Sequence, residues 1–268
     1  MASEQDRDEG QLWFVGSPIS VIYDYNNIGL WNEGDAGFEH LQAYEPGGNV
    51  GMIKVQYTGD FNPDGSPTRE IGPEDRTIID PTPDFQGGFT TRFAYKDFDL
   101  SMVGAFQSGG VLVSTLYSSN GYLNLLTGRR NNVDVDYWTP TNTGAKYPAP
   151  GGLQDSDNQK YASTLGYFDG SYLKVRAITL GYNFNQDVFR QIGFERLRLY
   201  ATVQNPFVFF SDFHDESGMD PETNSGVNSE GNRENSATNT TAISRGIPTV
   251  GTNVPTTRNY MLGLNVTF

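Results

Sequence analysis

The sequence predicts an all-β chain, an antiparallel transmembrane β-barrel segment of about six strands with long extracellular loops. Three observations predict it. Several segments alternate apolar and polar residues with a strict period of two, the mark of a strand with one apolar face. These segments approach the roughly 9–11 residues that a tilted strand needs to cross a bilayer. The connections between them alternate long and short, as in barrels with tight turns on one side of a membrane and long loops on the other.

Composition bounds the reading. The 268 residues carry a formal net charge of −14 and no cysteine. Such an acidic chain lacks the clustered Lys and Arg that nucleic acid requires, so no nucleic-acid partner is expected. A disulfide framework and a thiolate metal site are both excluded. No run of residues is long and apolar enough for a helical span, and a mean hydropathy of −0.50 still suits strands that are apolar on one face only. The opening Met1-Ala-Ser-Glu-Gln-Asp-Arg-Asp-Glu-Gly is polar where an export signal needs an apolar run. The chain is therefore either cytoplasmic or a fragment or mature segment whose export signal lies elsewhere, and the strand pattern favours the second.

In chain order, Gln11 to Val15 and Val21 to Tyr25 are short apolar pieces separated by Gly16-Ser17-Pro18. From Trp31 to Asp84 the composition shifts to Gly, Pro, Asp, Glu and Asn, with one strand expected at Met52 to Tyr57. Within it, Asp60, Asn62 and Asp64 alternate before Gly65, the opening of a calcium loop. Position twelve of that loop is Ile71, so Asp75 completes a Ca2+ site only if the intervening residues bulge out. An Asx- and Gly-rich turn without an ion fits the same residues.

Phe85 to Tyr95 and Phe98 to Phe106 alternate on either side of a tight Lys96-Asp97 turn and form a hairpin with aromatic ends. Arg92 and Asp99 lie on its polar face. Residues 108–165 form a polar connection carrying Tyr117, Tyr122, Tyr137 and Trp138, which either stack on sugar or partner surfaces or pin the loop. Tyr172 to Phe184 is a strand whose apolar phase slips near Ala177-Ile178, as at a β-bulge, with Lys174 and Arg176 facing inward. Arg198, Tyr200 and Gln204 share the polar face of the following strand. An aromatic cluster, Phe207-Val208-Phe209-Phe210, closes that strand, and residues 211–256 form a third long loop. In the last stretch Tyr260, Leu262, Leu264, Val266 and Phe268 fall on one face.

Catalytic signatures are missing. His40 and His214 are far apart with no metal-ligand spacing, and neither a nucleophile elbow nor a phosphate-binding Gly-rich loop occurs. Asp99 is the only acid on the inward face of a clean strand and reads as lumen lining. No enzyme is expected.

A set of short motifs then falls into one order. Gly16-Ser17-Pro18-Ile19, Ile22-Tyr23-Asp24-Tyr25, Gly29-Leu30-Trp31, Asp60-Phe61-Asn62-Pro63-Asp64-Gly65 and Asp75-Arg76-Thr77 come first. Tyr95-Lys96-Asp97-Phe98, Trp138-Thr139-Pro140, Ile178-Thr179-Leu180-Gly181-Tyr182, Gln204-Asn205-Pro206-Phe207, Asp220-Pro221-Glu222 and Thr257-Arg258-Asn259-Tyr260 follow, before Phe268. In this order they resemble the carboxy-terminal region of SusC/RagA-type TonB-dependent transporters. The extra residues between Gly65 and Asp75 depart from the family pattern.

The resemblance implies a Bacteroidetes outer-membrane protein with a 22-stranded barrel. Residues 1–268 would be its carboxy-terminal portion, with no plug domain. The remaining barrel and plug, a SusD/RagB-like lipoprotein, TonB acting through the missing amino-terminal part, and the lipid bilayer would be its partners. It would import oligosaccharides or peptides. Arg92, Asp99, Lys174, Arg176, Arg198, Tyr200 and Gln204 would face the lumen toward substrate or plug, and Phe268 would be the barrel-assembly signal. The alternative is a secreted β-sandwich that binds glycans, which would bury its apolar faces in its own core.

Overall fold

The computed structural model describes residues 7–9, 12–114, 116–117, 134–149, 163–185, 193, 195–222, 249–250 and 256–268. Two compact units divide the chain: one draws on Met1–Pro81, Val113–Tyr167 and Ser225–Thr252, the other on Thr82–Leu112, Phe168–Asn224 and Asn253–Phe268.

The second unit is built on one antiparallel sheet of five strands, ordered Asn259–Thr267, Arg196–Phe209, Tyr172–Asn183, Phe98–Ser108 and Phe85–Tyr95. Their lengths of 9, 14, 12, 11 and 11 residues suit bilayer crossing at a tilt. Among the described residues no helix is long and apolar enough to cross a membrane. The hairpin closes at Tyr95 opposite Phe98, with Lys96 at φ 54 in the left-handed region that such a tight turn demands. All three long connections meet the sheet at one edge of its strands, and the short turns meet it at the other.

Register sorts the side chains as the alternation predicts. Phe93, Leu100, Leu180, Ala201 and Leu262 belong to the apolar face, because Phe93 pairs with Leu100, Leu100 with Leu180, Leu180 with Ala201 and Ala201 with Leu262. Asp99, Gly181, Tyr200 and Gly263 form one row of the other face by the same pairings. The phase slip is a bulge between Val175 and Ala177, opposite which Gln204 and Phe207 leave Asn205 and Pro206 outside the ladder. Asn205 takes φ 49, and Pro206 has no N–H to lose from the ladder there.

The apolar face is uncovered. Phe93 is 64% exposed, Leu180 49% and Leu262 76%. A sandwich would bury these positions under a second sheet. Aromatic residues concentrate at the two ends of the face: Tyr95, Phe98 and Phe268 near the short turns, and Phe85, Phe207, Phe209 and Tyr260 near the long loops. That is the girdle arrangement of a membrane barrel.

The first unit gives the stretch from Trp31 to Asp84 more order than its composition suggests, and the strand expected at Met52 to Tyr57 is Ile53–Val55. Ile22–Tyr25 pairs with Arg76–Ile79, and Asn27–Leu30 with Ile53–Val55. Trp31, Leu41 and Tyr44 form a small core, flanked by Phe38, Tyr57 and Ile71. The Val21 to Tyr25 segment is thus a four-residue strand of this unit, and the described residues hold five long strands against the approximate expectation of six. Its Asp24 is buried and accepts a 2.6 Å hydrogen bond from the Tyr167 hydroxyl. Burial pushes the Asp24 carboxyl and the Tyr167 hydroxyl above their ordinary values.

Candidate functional site: the charged face of the sheet

Opposite the apolar face, polar groups form two clusters. The first lies beside the short turns. Asp99, buried, accepts from Arg198 Nε at 3.1 Å and Nη2 at 2.7 Å, and from Asn183 Nδ2 at 3.1 Å. Arg198 reaches it diagonally across Gly181, where a Cβ would fall 2.6 Å from Asp99 Oδ1 and 2.7 Å from Arg198 Nε. A side chain at this position would therefore separate the pair. Tyr200 lies over Gly263 on the neighbouring strand, and the Arg198 guanidinium sits 5.3 Å from the Tyr200 ring. Arg92 is exposed, with Nη2 4.0 Å from Asp99 Oδ2. Thr179 and Thr202 bridge the mid-sheet at 2.8 Å, and Gln204 accepts from Asn259 at 3.4 Å.

The second cluster lies at the bulge. Lys174, only 4% exposed in its side chain, donates to Asp220 and, at 2.8 Å, to Glu222. Arg176, displaced by the bulge, also donates to Glu222, through Nη2 and through Nε at 3.0 Å. Asp220 further accepts from Thr256 Oγ1 at 2.8 Å and from the Glu222 N–H at 2.9 Å. The helix Asp212–Ser217 precedes these acids. Its N-cap Ser211 accepts from the His214 N–H, and Phe213 is buried with its ring 5.2 Å from that of Phe168. The segment after the Arg196–Phe209 strand is thus folded back and fastened to the charged face.

All seven inward residues expected from the sequence share this face, but in separate groups: Arg92, Asp99, Arg198 and Tyr200 near the short turns, Lys174 and Arg176 at the bulge, and Gln204 between them. Sequence reasoning missed the roles of Asp220, Glu222 and Arg196. The available signal was two cations, Lys174 and Arg176, with no acid opposite them in the sheet.

The loop aromatics divide similarly. Tyr117 is buried and stacks on Tyr147 at 5.5 Å, and Trp138 donates to Asn32 at 2.7 Å, so both pin their own unit. Tyr137 is exposed, and Tyr122 lies outside the described residues.

The residues of the calcium loop do not fit an ion. Asp75 is fully buried and its carboxylate is taken up by Arg69 at 2.5 and 3.0 Å, Thr58 at 2.7 Å and the Gly72 N–H at 2.9 Å. Burial acts to raise its pKa, but these hydrogen bonds prevail and lower it to about 2. Asp64 accepts from the Ser66 N–H and hydroxyl, and the Asp60 carbonyl from Tyr57 and Thr68. Among the described residues no group of three or more His, Asp or Glu is placed to hold a metal. Asp60, Asn62 and Asp64 make a self-bonded turn, and Asp75 anchors Arg69.

No family model matches the chain. A curated relative does: the TonB-dependent receptor P3 of Formosa agariphila is 31% identical over 253 residues, 89% of this chain and 23% of the receptor. The TonB-dependent receptor SusC of Bacteroides thetaiotaomicron is also 31% identical, over 161 residues, 55% of this chain and 14% of SusC. The chain is a relative of the TonB-dependent receptors, SusC among them. A solved structure, the RagAB peptide importer in its open-open state, superposes with a TM-score of 0.56 over 97% of this chain and 24% of the solved chain, at 15% identity. That likeness shows the barrel fold. This receptor segment spans about a quarter or less of the relatives it matches, and its place is the bacterial outer membrane.

Proposed function

We propose that residues 1–268 are the carboxy-terminal wall and external loops of a SusC-like transporter, which imports oligosaccharides or peptides together with a SusD-like lipoprotein. The observation that carries this reading is the two-faced sheet: an exposed apolar face with aromatic ends, backed by a face of Arg, Lys, Asp and Tyr. A wall between lipid and a polar passage needs that division. The remaining strands and plug complete the barrel, because five strands cannot enclose a lumen. TonB acts through the plug-bearing part, the long connections form the outer vestibule that meets the lipoprotein, and Phe268 serves as the assembly signal. The role is transport rather than catalysis, in keeping with the receptor names of the relatives.

Co-expression of the affinity-tagged chain with its neighbouring genes, followed by detergent extraction of outer membranes, is expected to recover a plug-bearing barrel chain and a lipoprotein. A folded, monodisperse monomer obtained without detergent would overturn this reading.

A further inference from the structure

The pairings of the five-stranded sheet differ in how their register is set. The Phe85–Tyr95 and Phe98–Ser108 strands are aligned by their tight turn. Both pairings of the Tyr172–Asn183 strand are pinned by its bulge, and Arg196 adds a hydrogen bond to Asn183 Oδ1 at 3.3 Å. The pairing of Arg196–Phe209 with Asn259–Thr267 has neither device. Its strands are joined through residues 210–258, and its ladder runs unbroken from Arg196 opposite Thr267 to Gln204 opposite Asn259. Alternation does not fix it either. A slip of one residue would turn Leu262 and Leu264 to the wrong face, but a slip of two restores the faces. It sets Leu199 against Leu262 or Val266 instead of Leu264.

On the charged face one contact breaks this degeneracy. Tyr200 has a glycine opposite it on both neighbouring strands, Gly181 and Gly263. The space over Gly181 is filled by the Asp99 carboxylate and the Arg198 fork. The Tyr200 ring lies instead over Gly263, where a Cβ would fall 2.6 Å from ring Cε1, so no side chain fits beneath it. After a slip of two residues Tyr200 would stand against Met261 or Asn265, and Gly263 against Arg198 or Thr202. The ring would lose its seat and the glycine would lie bare. We infer that Tyr200 and Gly263 form a key and slot that set the register of the terminal strand. An aromatic ring laid over a strand glycine supplies the contact that the missing side chain cannot make, and it does so in one alignment. Both members belong to strands of this sheet, so the joint is complete without the rest of the barrel. A rival setting lies at the strand's entry, where Arg258 donates to the Pro206 carbonyl at 2.7 Å and Asn205 to the Thr257 carbonyl at 3.1 Å.

The test reads register by disulfide formation in the outer-membrane assembly, since the chain has no cysteine of its own. Leu199→Cys/Leu264→Cys reports the native alignment, and Leu199→Cys/Leu262→Cys and Leu199→Cys/Val266→Cys report the two slips. Diagonal neighbours across a ladder lie about 7–8 Å apart, beyond disulfide reach. With Tyr200 and Gly263 intact, the first pair is expected to cross-link in large excess over the other two. Tyr200→Ala removes the key without a clash, and the ratio of native to slipped disulfide is expected to fall about fivefold, the worth of one strong cross-strand contact. Gly263→Val blocks the slot and shifts the ratio further, whereas Arg258→Gln leaves it unchanged. An unchanged ratio in Tyr200→Ala, or a fall in Arg258→Gln as large as that in Tyr200→Ala, overturns the key and slot. Should Gly263→Val not reach the membrane, Tyr200→Ala decides by itself.

Discussion

Arginine at Leu262 and Leu264 is expected to prevent the chain from assembling in the outer membrane, although both side chains are more than half exposed in the folded structure. For a protein in water such positions are the most tolerant of all, and a charge there changes stability by about 0.5 kcal/mol or less. These two leucines sit in the middle of the Asn259–Thr267 strand, opposite Ala201 and Leu199, in a continuous apolar row that reaches Leu180 and Leu100. At the midplane of a bilayer each arginine costs about 2–4 kcal/mol. Thr90→Arg is the control, because Thr90 pairs with Val103 on the opposite face and is also exposed. The Leu262→Arg/Leu264→Arg variant should disappear from the heat-modifiable outer-membrane fraction while Thr90→Arg remains. Equal recovery of the two would mean that the apolar face does not meet lipid.

The second large effect is at the bulge. Lys174→Met leaves Asp220 and Glu222 facing the sheet with one cation, Arg176, in place of two. Removing one partner from a buried ion cluster costs about 3–5 kcal/mol, mostly because the charges left behind are unpaired. The cost falls on the docking of residues 211–222, so their amide protection should collapse while the five-stranded sheet keeps its own. Acid should act in the same direction. Burial acts to raise the Glu222 carboxyl, but hydrogen bonds from Arg176 and Lys174 outweigh it and hold the group below its ordinary value of 4.5. A carboxylate with a depressed folded-state pKa contributes stability above its unfolded value and loses it as pH falls through the folded one. Protection of residues 211–222 is therefore expected to be flat from neutral pH to about 4.5 and to fade below it. In Glu222→Gln that part of the fading disappears. An unchanged acid profile in Glu222→Gln would show that the cluster does not hold the segment.

What could be read from the sequence was whatever is encoded locally. A period of two is visible in the residues themselves, so the five long strands, the sorting of Arg92, Asp99, Arg198 and Tyr200 from Leu100 and Leu262, and the phase slip near Ala177 were all legible. The slip lies one step earlier, between Val175 and Ala177. Partnerships across the chain were not legible. Lys174 meets Asp220 across 46 positions and Glu222 across 48, and no alternation announces which acid will fold back onto which lysine. The small core within Trp31 to Asp84 was hidden for a related reason. Trp31, Leu41 and Tyr44 form a core from positions with no common period, set among turn-forming residues, so their composition resembles that of a loop. Asp75 was placed with Asp60 and Asp64 by spacing, whereas the nearby Arg69 supplies a stronger partner than an unfinished oxygen cage. Arg196 went unnoticed because it opens its strand, where alternation has only begun.

The division of the sheet into a lipid face and a passage face is the claim on which the rest depends. The chain contains no cysteine, so a single cysteine at each position from Asn259 to Thr267, except Gly263 beneath the Tyr200 ring, can carry a nitroxide label. In the membrane assembly, accessibility to oxygen should peak at Tyr260, Leu262, Leu264 and Val266. It should fall at Met261 and Asn265, where a water-soluble relaxant should gain instead. Equal access of the water-soluble relaxant to both sets would contradict the account.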